Sequence, residues 1–150
     1  MGLEQLRSSL RRHHRVALDS CVFIYQLEAN PTYAAATDIV FSWLAERASR
    51  AATSAITMTE VLVAPYRSLD EKLLDNFYGL LSTYPNLEWI SVGLEIADIA
   101  ARIRAQHNLR TPDAIQAATA IHTSATALIT NDSVFARVPD FRVLVLDDYI

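Results

Sequence analysis

The sequence predicts an α/β fold, a small and mostly parallel sheet of about five strands flanked by helices on both faces. Three observations carry that prediction. Short apolar runs recur along the chain, and each leads into a longer segment with helical spacing, the alternation that right-handed crossovers between parallel strands require. Glycine and proline are scarce, 3 and 5 in 150 residues, which argues against an all-β sandwich with its many tight turns. The composition, 51% hydrophobic and 20% charged, suits one folded domain that buries a core rather than a disordered chain.

The elements follow in order. Residues 3–15 read as a short polar helix or arm, its end (RRHHR) basic and solvated, with contact to RNA as the alternative; residues 1–14 stand before the first strand of a single domain spanning 1–150. Residues 15–19 (RVALD) read as a short buried strand ending on an acid, followed by SCVFIYQLE, apolar on one face, and by a break at Pro31. Over residues 32–50, Ala36, Ile39, Val40, Trp43, Leu44 and Arg47 fall at steps of three and four, which predicts a helix. Residues 51–57 are a second strand despite their alanines. Thr57 to Glu60 has the form of a capping box, so a helix is expected to start there and to end near Pro65. Residues 69–84 form a further helix, with Asp70 and Glu71 in its first turn, where the helix dipole favours negative charge. A third strand (87–92), a helix rich in alanine and isoleucine (94–107), and a helix opened by Thr111 as cap and Pro112 as first residue come next. A strand at 127–130, the loop NDSVFARVPD and a strand at 142–147 complete the chain.

Several function classes are excluded or disfavoured. No apolar run approaches the roughly 18 residues of a bilayer span, the first residues lack a secretory signal, and the single cysteine, Cys21, has no internal disulfide partner. A cytoplasmic location is the expectation. Position 27 is leucine, where a cysteine phosphatase needs its phosphate-gripping arginine, and Cys21 occupies the place of an aspartyl-phosphate phosphatase's second acid. There is no P-loop and no nucleophile elbow. The only lysine, Lys72, is far from the last strand, where a receiver domain would need one. The net charge of −4 counts against binding nucleic acid by charge alone, unless cations bound at acidic residues supply positive charge locally.

Ligands of open α/β sheets bind beyond the carboxyl ends of the strands. Asp19 ends the first strand, Glu60 follows the second, and Asp132 follows the fourth; Asp113 opens the helix that leads into the fourth. Each acid alone has an ordinary explanation as a cap, a dipole partner or a turn residue. As a set they are an oxygen-only, sulfur-free group of the kind hard cations such as Mg²⁺ or Mn²⁺ take, and carboxylates held together are costly without one.

The segments LDSCVFIY, ITMTEVL, RTPDAIQAATA and LITNDSVF, in that order, resemble the motifs of PIN-domain nucleases, in particular the VapC-like toxins of type II toxin–antitoxin modules. The resemblance runs from about residue 15 to 147. It implies a PIN-like fold with an acidic quartet at Asp19, Glu60, Asp113 and Asp132 acting as catalytic and metal-binding residues. It implies that Thr130 and Asn131 support the quartet by orienting water or phosphate. It further implies a divalent-metal-dependent endoribonuclease using Mg²⁺ or Mn²⁺, an RNA substrate, a cognate antitoxin and a homodimer. One departure stands out: Cys21 replaces the asparagine many relatives carry two residues after the first acid. Arg110 and Arg137 are candidates for phosphate contacts, with a solvated surface role as the alternative. The aromatic residues read mostly as core or interface, and an exposed subset on the early helices would suit an antitoxin peptide. The competing reading is a PIN-fold module that holds RNA or a partner without cutting; cleavage of DNA, or a role in RNA processing, also stays open, because carboxylates do not read the 2′-hydroxyl.

Overall fold

In the computed structural model, which describes residues 2–150, five strands form one parallel sheet in the order β3-β2-β1-β4-β5. They are β1 (Arg15–Leu18), β2 (Arg50–Ser54), β3 (Leu87–Ile90), β4 (Ala127–Thr130) and β5 (Arg142–Val145). Seven α-helices connect them: α1 (Gly2–Leu10), α2 (Ser20–Leu27), α3 (Ala34–Leu44), α4 (Ile56–Arg67), α5 (Glu71–Thr83), α6 (Leu94–His107) and α7 (Thr111–His122). Two 3-10 turns, Ser133–Arg137 and Leu146–Tyr149, follow β4 and β5.

Successive strand residues point to opposite faces, and the core divides accordingly. Val16, Leu18 and Ile129 join Leu6, Phe23, Val40, Trp43 and Leu81 in one buried cluster, built with helices α1 to α5. Ala17 and Leu128 face the other way, into a cluster with Ile96, Ile103, Ala114, Ala117 and Phe135 from α6, α7 and the first 3-10 turn. Both faces of the sheet are therefore covered, as parallel sheets require. The strand order also has a consequence for function. From β1 the chain winds outward through β2 to β3, then crosses back to β4 on β1's other side and continues to β5. The β1/β4 pair is thus the point where the winding reverses, the place beyond whose strand ends open α/β sheets bind ligands.

The structure corrects several local expectations. The α3 helix spans only Ala34–Leu44 of the expected 32–50, and the chain turns over residues 45–49 before β2. Thr57 does not cap α4; the helix begins at Ile56 without a side-chain cap, and Thr57, its second residue, is fully buried. The helix does end near Pro65 as expected, two residues further on at Arg67. At α7 the cap position is Arg110, and Thr111 and Pro112 lie inside the first turn. Pro112 still costs nothing there, because first-turn N–H groups have no partner within the helix. Asp70 does cap α5, its carboxylate accepting the Leu73 N–H at 3.0 Å. The N-terminal segment is a docked helix: Leu6 and Leu10 have no exposed surface, and α1 packs on α3 and the last 3-10 turn. Gly2 lies so close to that turn that a β-carbon there would collide with the Tyr149 carbonyl oxygen.

Candidate metal centre

Asp19 is the first residue beyond β1, at the winding reversal. Its backbone N–H still donates to the Ile129 carbonyl of β4 at 3.0 Å, so the sheet itself fixes its position. One carboxylate oxygen accepts the Ser20 N–H at 2.8 Å, capping α2, and the other accepts the Thr130 hydroxyl at 2.7 Å. Each oxygen keeps a further lone pair for another partner. Burial pushes the Asp19 carboxyl up to about 6, against these two hydrogen bonds, and the charges of Glu60 and Asp113 push in the same direction as burial.

Asp113, partly buried in the first turn of α7, is likewise raised, chiefly by burial; Arg110 lowers it and Asp132 raises it. Asp132 lies just past β4 and is exposed. Its side chain accepts the Val134 N–H at 2.9 Å, starting the 3-10 turn. Glu60 is exposed on the first half of α4. The charge of Glu60 thus acts on Asp19, that of Asp113 on Asp19, and that of Asp132 on Asp113, so the four carboxylates share one electrostatic neighbourhood. The donor set is all oxygen and its mutual repulsion is uncompensated apart from Arg110, which suits a hard divalent cation. Among the described residues no three His, Cys, Asp or Glu side chains form a group that holds a metal as they stand.

The other residues singled out in the sequence take separate places. Thr130 joins Asp19 to Asp132, donating to the first and accepting the backbone N–H of the second at 3.0 Å. Asn131 turns away into a clasp: its carbonyl accepts the Asp147 N–H at 2.9 Å, and its amide donates to Asp147 and to the Tyr25 hydroxyl, both at 3.3 Å. Arg110 Nε lies 3.6 Å from an Asp113 oxygen with its side chain 83% exposed. Arg137 donates to the Asn108 carbonyl at 3.1 Å, tying down the left-handed residue that ends α6. The Cys21 thiol is pushed up to about 12 by burial and by the Asp19 charge. The exposed aromatic residues are Tyr66 and Tyr78, on α4 and α5 rather than on the early helices; Phe23, Trp43 and Phe77 are core.

Sequence reasoning missed the layer beneath the carboxylates. Gln116, 2% exposed, donates to Thr57 Oγ1 at 2.8 Å and to Ser20 Oγ at 3.2 Å. Thr57 also meets Thr53 at 2.7 Å, and Thr53 donates to the Leu18 carbonyl at 2.8 Å. This buried polar chain links α7, α4, α2 and β1, the elements that carry Asp113, Glu60 and Asp19. One signal in the sequence was a glutamine inside an otherwise apolar stretch of α7, where a buried amide needs partners.

A family model described as "PIN domain" matches residues 16–140. No curated protein matches the chain. Among solved structures, a toxin–antitoxin complex from Klebsiella pneumoniae is similar at TM-score 0.69 and 23% identity, over 87% of this chain and 97% of that one. VapBC2 from Rickettsia felis, bound to a DNA fragment from its promoter, has TM-score 0.67 and 17% identity over 87% and 98%. VapBC-1 from nontypeable Haemophilus influenzae has TM-score 0.66 and 21% identity over 89% and 98%. At these identities the likeness shows the fold. It agrees with the five-stranded parallel sheet described above.

Proposed function

The chain belongs to the PIN-domain family, and from that premise we propose that it is a divalent-metal-dependent endoribonuclease, the toxin of a toxin–antitoxin module. The observation that carries the reading is the state of Asp19: a carboxyl fixed by the sheet, pushed up to about 6 by burial, and further repelled by Glu60 and Asp113. Such a group gains most from a bound Mg²⁺ or Mn²⁺. Asp19 and Asp113 are the proposed direct ligands, with Glu60 and Asp132 ligating directly or through water. When bound, the cation supplies Lewis-acid charge for a scissile phosphate and an acidified water. Thr130 holds Asp19 and the start of the Asp132 turn in fixed relation, and the Gln116 layer holds the elements beneath them. Arg110, exposed beside Asp113, is the proposed phosphate contact; the Arg137 side chain is engaged at the end of α6.

The antitoxin proposal draws on the similar complexes and on surface chemistry. Met58, Leu62, Val63, Tyr66 and Tyr78 line an apolar hollow of about 530 Å³ between α4 and α5, of a kind that takes an amphipathic helix. A homodimer and a cytoplasmic location belong to the same proposal. No helix among the described residues is long and apolar enough to cross a membrane. The alternative is a PIN module that binds without cutting, and turnover separates the two. The deciding experiment is cleavage of a mixed RNA pool by the purified protein with Mg²⁺ or Mn²⁺, beside EDTA and D113N controls. Cutting that needs both metal and Asp113 supports the nuclease; a folded, partner-free protein that never cuts favours the binding module.

A further inference from the structure

Six arginines gather at the end of the sheet opposite the carboxylates. Arg15, Arg50 and Arg142 open β1, β2 and β5, and because the strands are parallel all three stand at the amino edge. Arg15 is directly in register with Arg50, and Arg142 pairs with Ala127 of β4, itself in register with Val16 of β1. Arg11 and Arg12 reach the same edge in the turn between α1 and β1, and Arg47 in the turn before β2. All six are exposed, and none makes an ion pair among the described residues. That is unexpected in a chain with 17 acidic and 13 Lys and Arg residues, where carboxylates are in excess. The acids nearby do not neutralise the edge. Glu4 shares a hollow with Arg12 and Arg142 but is engaged by Arg7 at 3.2 Å; Glu46 and Asp140 line adjoining hollows without closing to ion-pair distance.

The cluster is held rather than free. The Arg12 and His13 N–H groups donate to the Ser9 and Leu10 carbonyls at 3.1 and 3.0 Å, and the Arg50 N–H to the His14 carbonyl at 2.9 Å. His13 Nδ1 lies 2.7 Å from the Thr126 hydroxyl. Burial and the charges of Arg142 and Arg12 keep that ring below its usual pKa, so both guanidinium groups bear on one point. Arg15 and Arg50 anchor to backbone carbonyls, of Thr123 at 2.8 Å and of Ser49 at 2.7 Å, through Nη1 alone. Their remaining N–H donors are unused, the arrangement that suits phosphate oxygens. Between Arg12 and Arg142 the surface is concave, about 700 Å³, with Ser8 and Gln5 in its lining.

We infer that the amino edge of the sheet is a second RNA contact surface, which grips the phosphate backbone of an RNA long enough to reach from the carboxylate rim to the far end of the strands. It rests on the proposed nuclease activity only for the identity of the nucleic acid. The two ends are separated by a four-residue strand, about 13 Å of backbone, so a short oligonucleotide at the carboxylates does not touch the arginines and a large RNA does. The surface accounts for how an acidic protein with a repulsive catalytic rim holds a polyanion: attraction comes from the opposite pole.

The test measures binding of a labelled RNA duplex with single-stranded tails, in EDTA so that nothing is cut, across a salt series. The variants are R11A/R12A/R142A and R11K/R12K/R142K, with the matching DNA duplex as a second ligand and thermal unfolding as a control for folding. The alanine variant is expected to lose at least tenfold in affinity. Its plot of log affinity against log salt should flatten by roughly 0.7–0.9 per arginine removed, while the lysine variant keeps the slope. With metal added, turnover of a short oligouridylate should be unchanged in the alanine variant while KM for the long RNA rises. An unchanged affinity and slope in the folded alanine variant, or binding of the DNA but not the RNA, overturns the inference. Arginine-dependent RNA binding by a protein that never cuts would leave it standing and remove the nuclease instead.

Discussion

The Thr130 hydroxyl donates to Asp19 at 2.7 Å across the β1/β4 boundary, and the same oxygen accepts the Asp132 N–H at 3.0 Å. One side chain therefore sets the spacing between two acids that are 113 residues apart in the chain. Replacing Thr130 by valine keeps the shape and removes both bonds. A hydrogen bond to a charged group contributes about 1.5–3 kcal/mol, so T130V should lower metal affinity and cleavage together, with T130S retaining most of both. Calorimetric metal titration checks this; equal affinity in all three proteins would count against the role.

Asp19 gives the metal-free protein a defined pH dependence. Its folded value, about 6, lies above the ordinary 3.8, so the native state binds the proton more readily than the unfolded chain does. Its contribution to stability is fully present below about pH 4 and is lost as pH rises through 6. The loss by neutral pH is on the order of 3 kcal/mol. Thermal unfolding in EDTA should show Tm falling between pH 4.5 and 7.5 more steeply in the wild type than in D19N. Added Mg²⁺ should recover most of that difference at the upper pH and little at the lower. Parallel pH profiles for the two proteins would argue against a raised Asp19.

Gln116 supports the site from below. In Q116L the amide is gone and the buried hydroxyls of Ser20 and Thr57 each lose a donor while keeping other partners, at a cost of about 0.5–1.5 kcal/mol for each bond lost. Urea unfolding is expected to show that loss, and cleavage should fall through kcat, since Gln116 lies too deep to meet RNA. A drop in stability with full activity would make Gln116 a core residue only.

Arg110 and Arg137 should separate cleanly. Arg110 is exposed beside Asp113, so R110A is predicted to weaken RNA binding and flatten its salt dependence with little change in Tm. Arg137 donates to the carbonyl of Asn108, so R137A is predicted to lower stability by about 0.5–1.5 kcal/mol and leave RNA affinity intact. The reverse pattern in a salt-series binding measurement would exchange their roles.

Much of this protein was legible in its sequence because local patterns and global fold agree. The alternation of short strands and helices implied the parallel sheet, and strand-end position drew attention to Asp19, Glu60 and Asp132 without any knowledge of contacts. Asp113 was not placed by spacing, since it opens a helix rather than ending a strand; only the packing of α7 brings its charge to bear on Asp19. Thr57 shows the limit of local reading most clearly. Its spacing to Glu60 fits a capping box, yet the hydroxyl is fully buried and bonded to residues of β2 and α7, because tertiary packing offered it stronger partners than the helix end did. Likewise RRHHR read as a basic arm by itself, and its joining with Arg50 and Arg142 into one edge depends on strand register, which no local pattern encodes. The sequence by itself determined which elements form and which acids stand at strand ends, since those follow from periodicity. Tertiary structure alone decided which charges meet, because Coulomb energies depend on distances between residues that the chain keeps far apart.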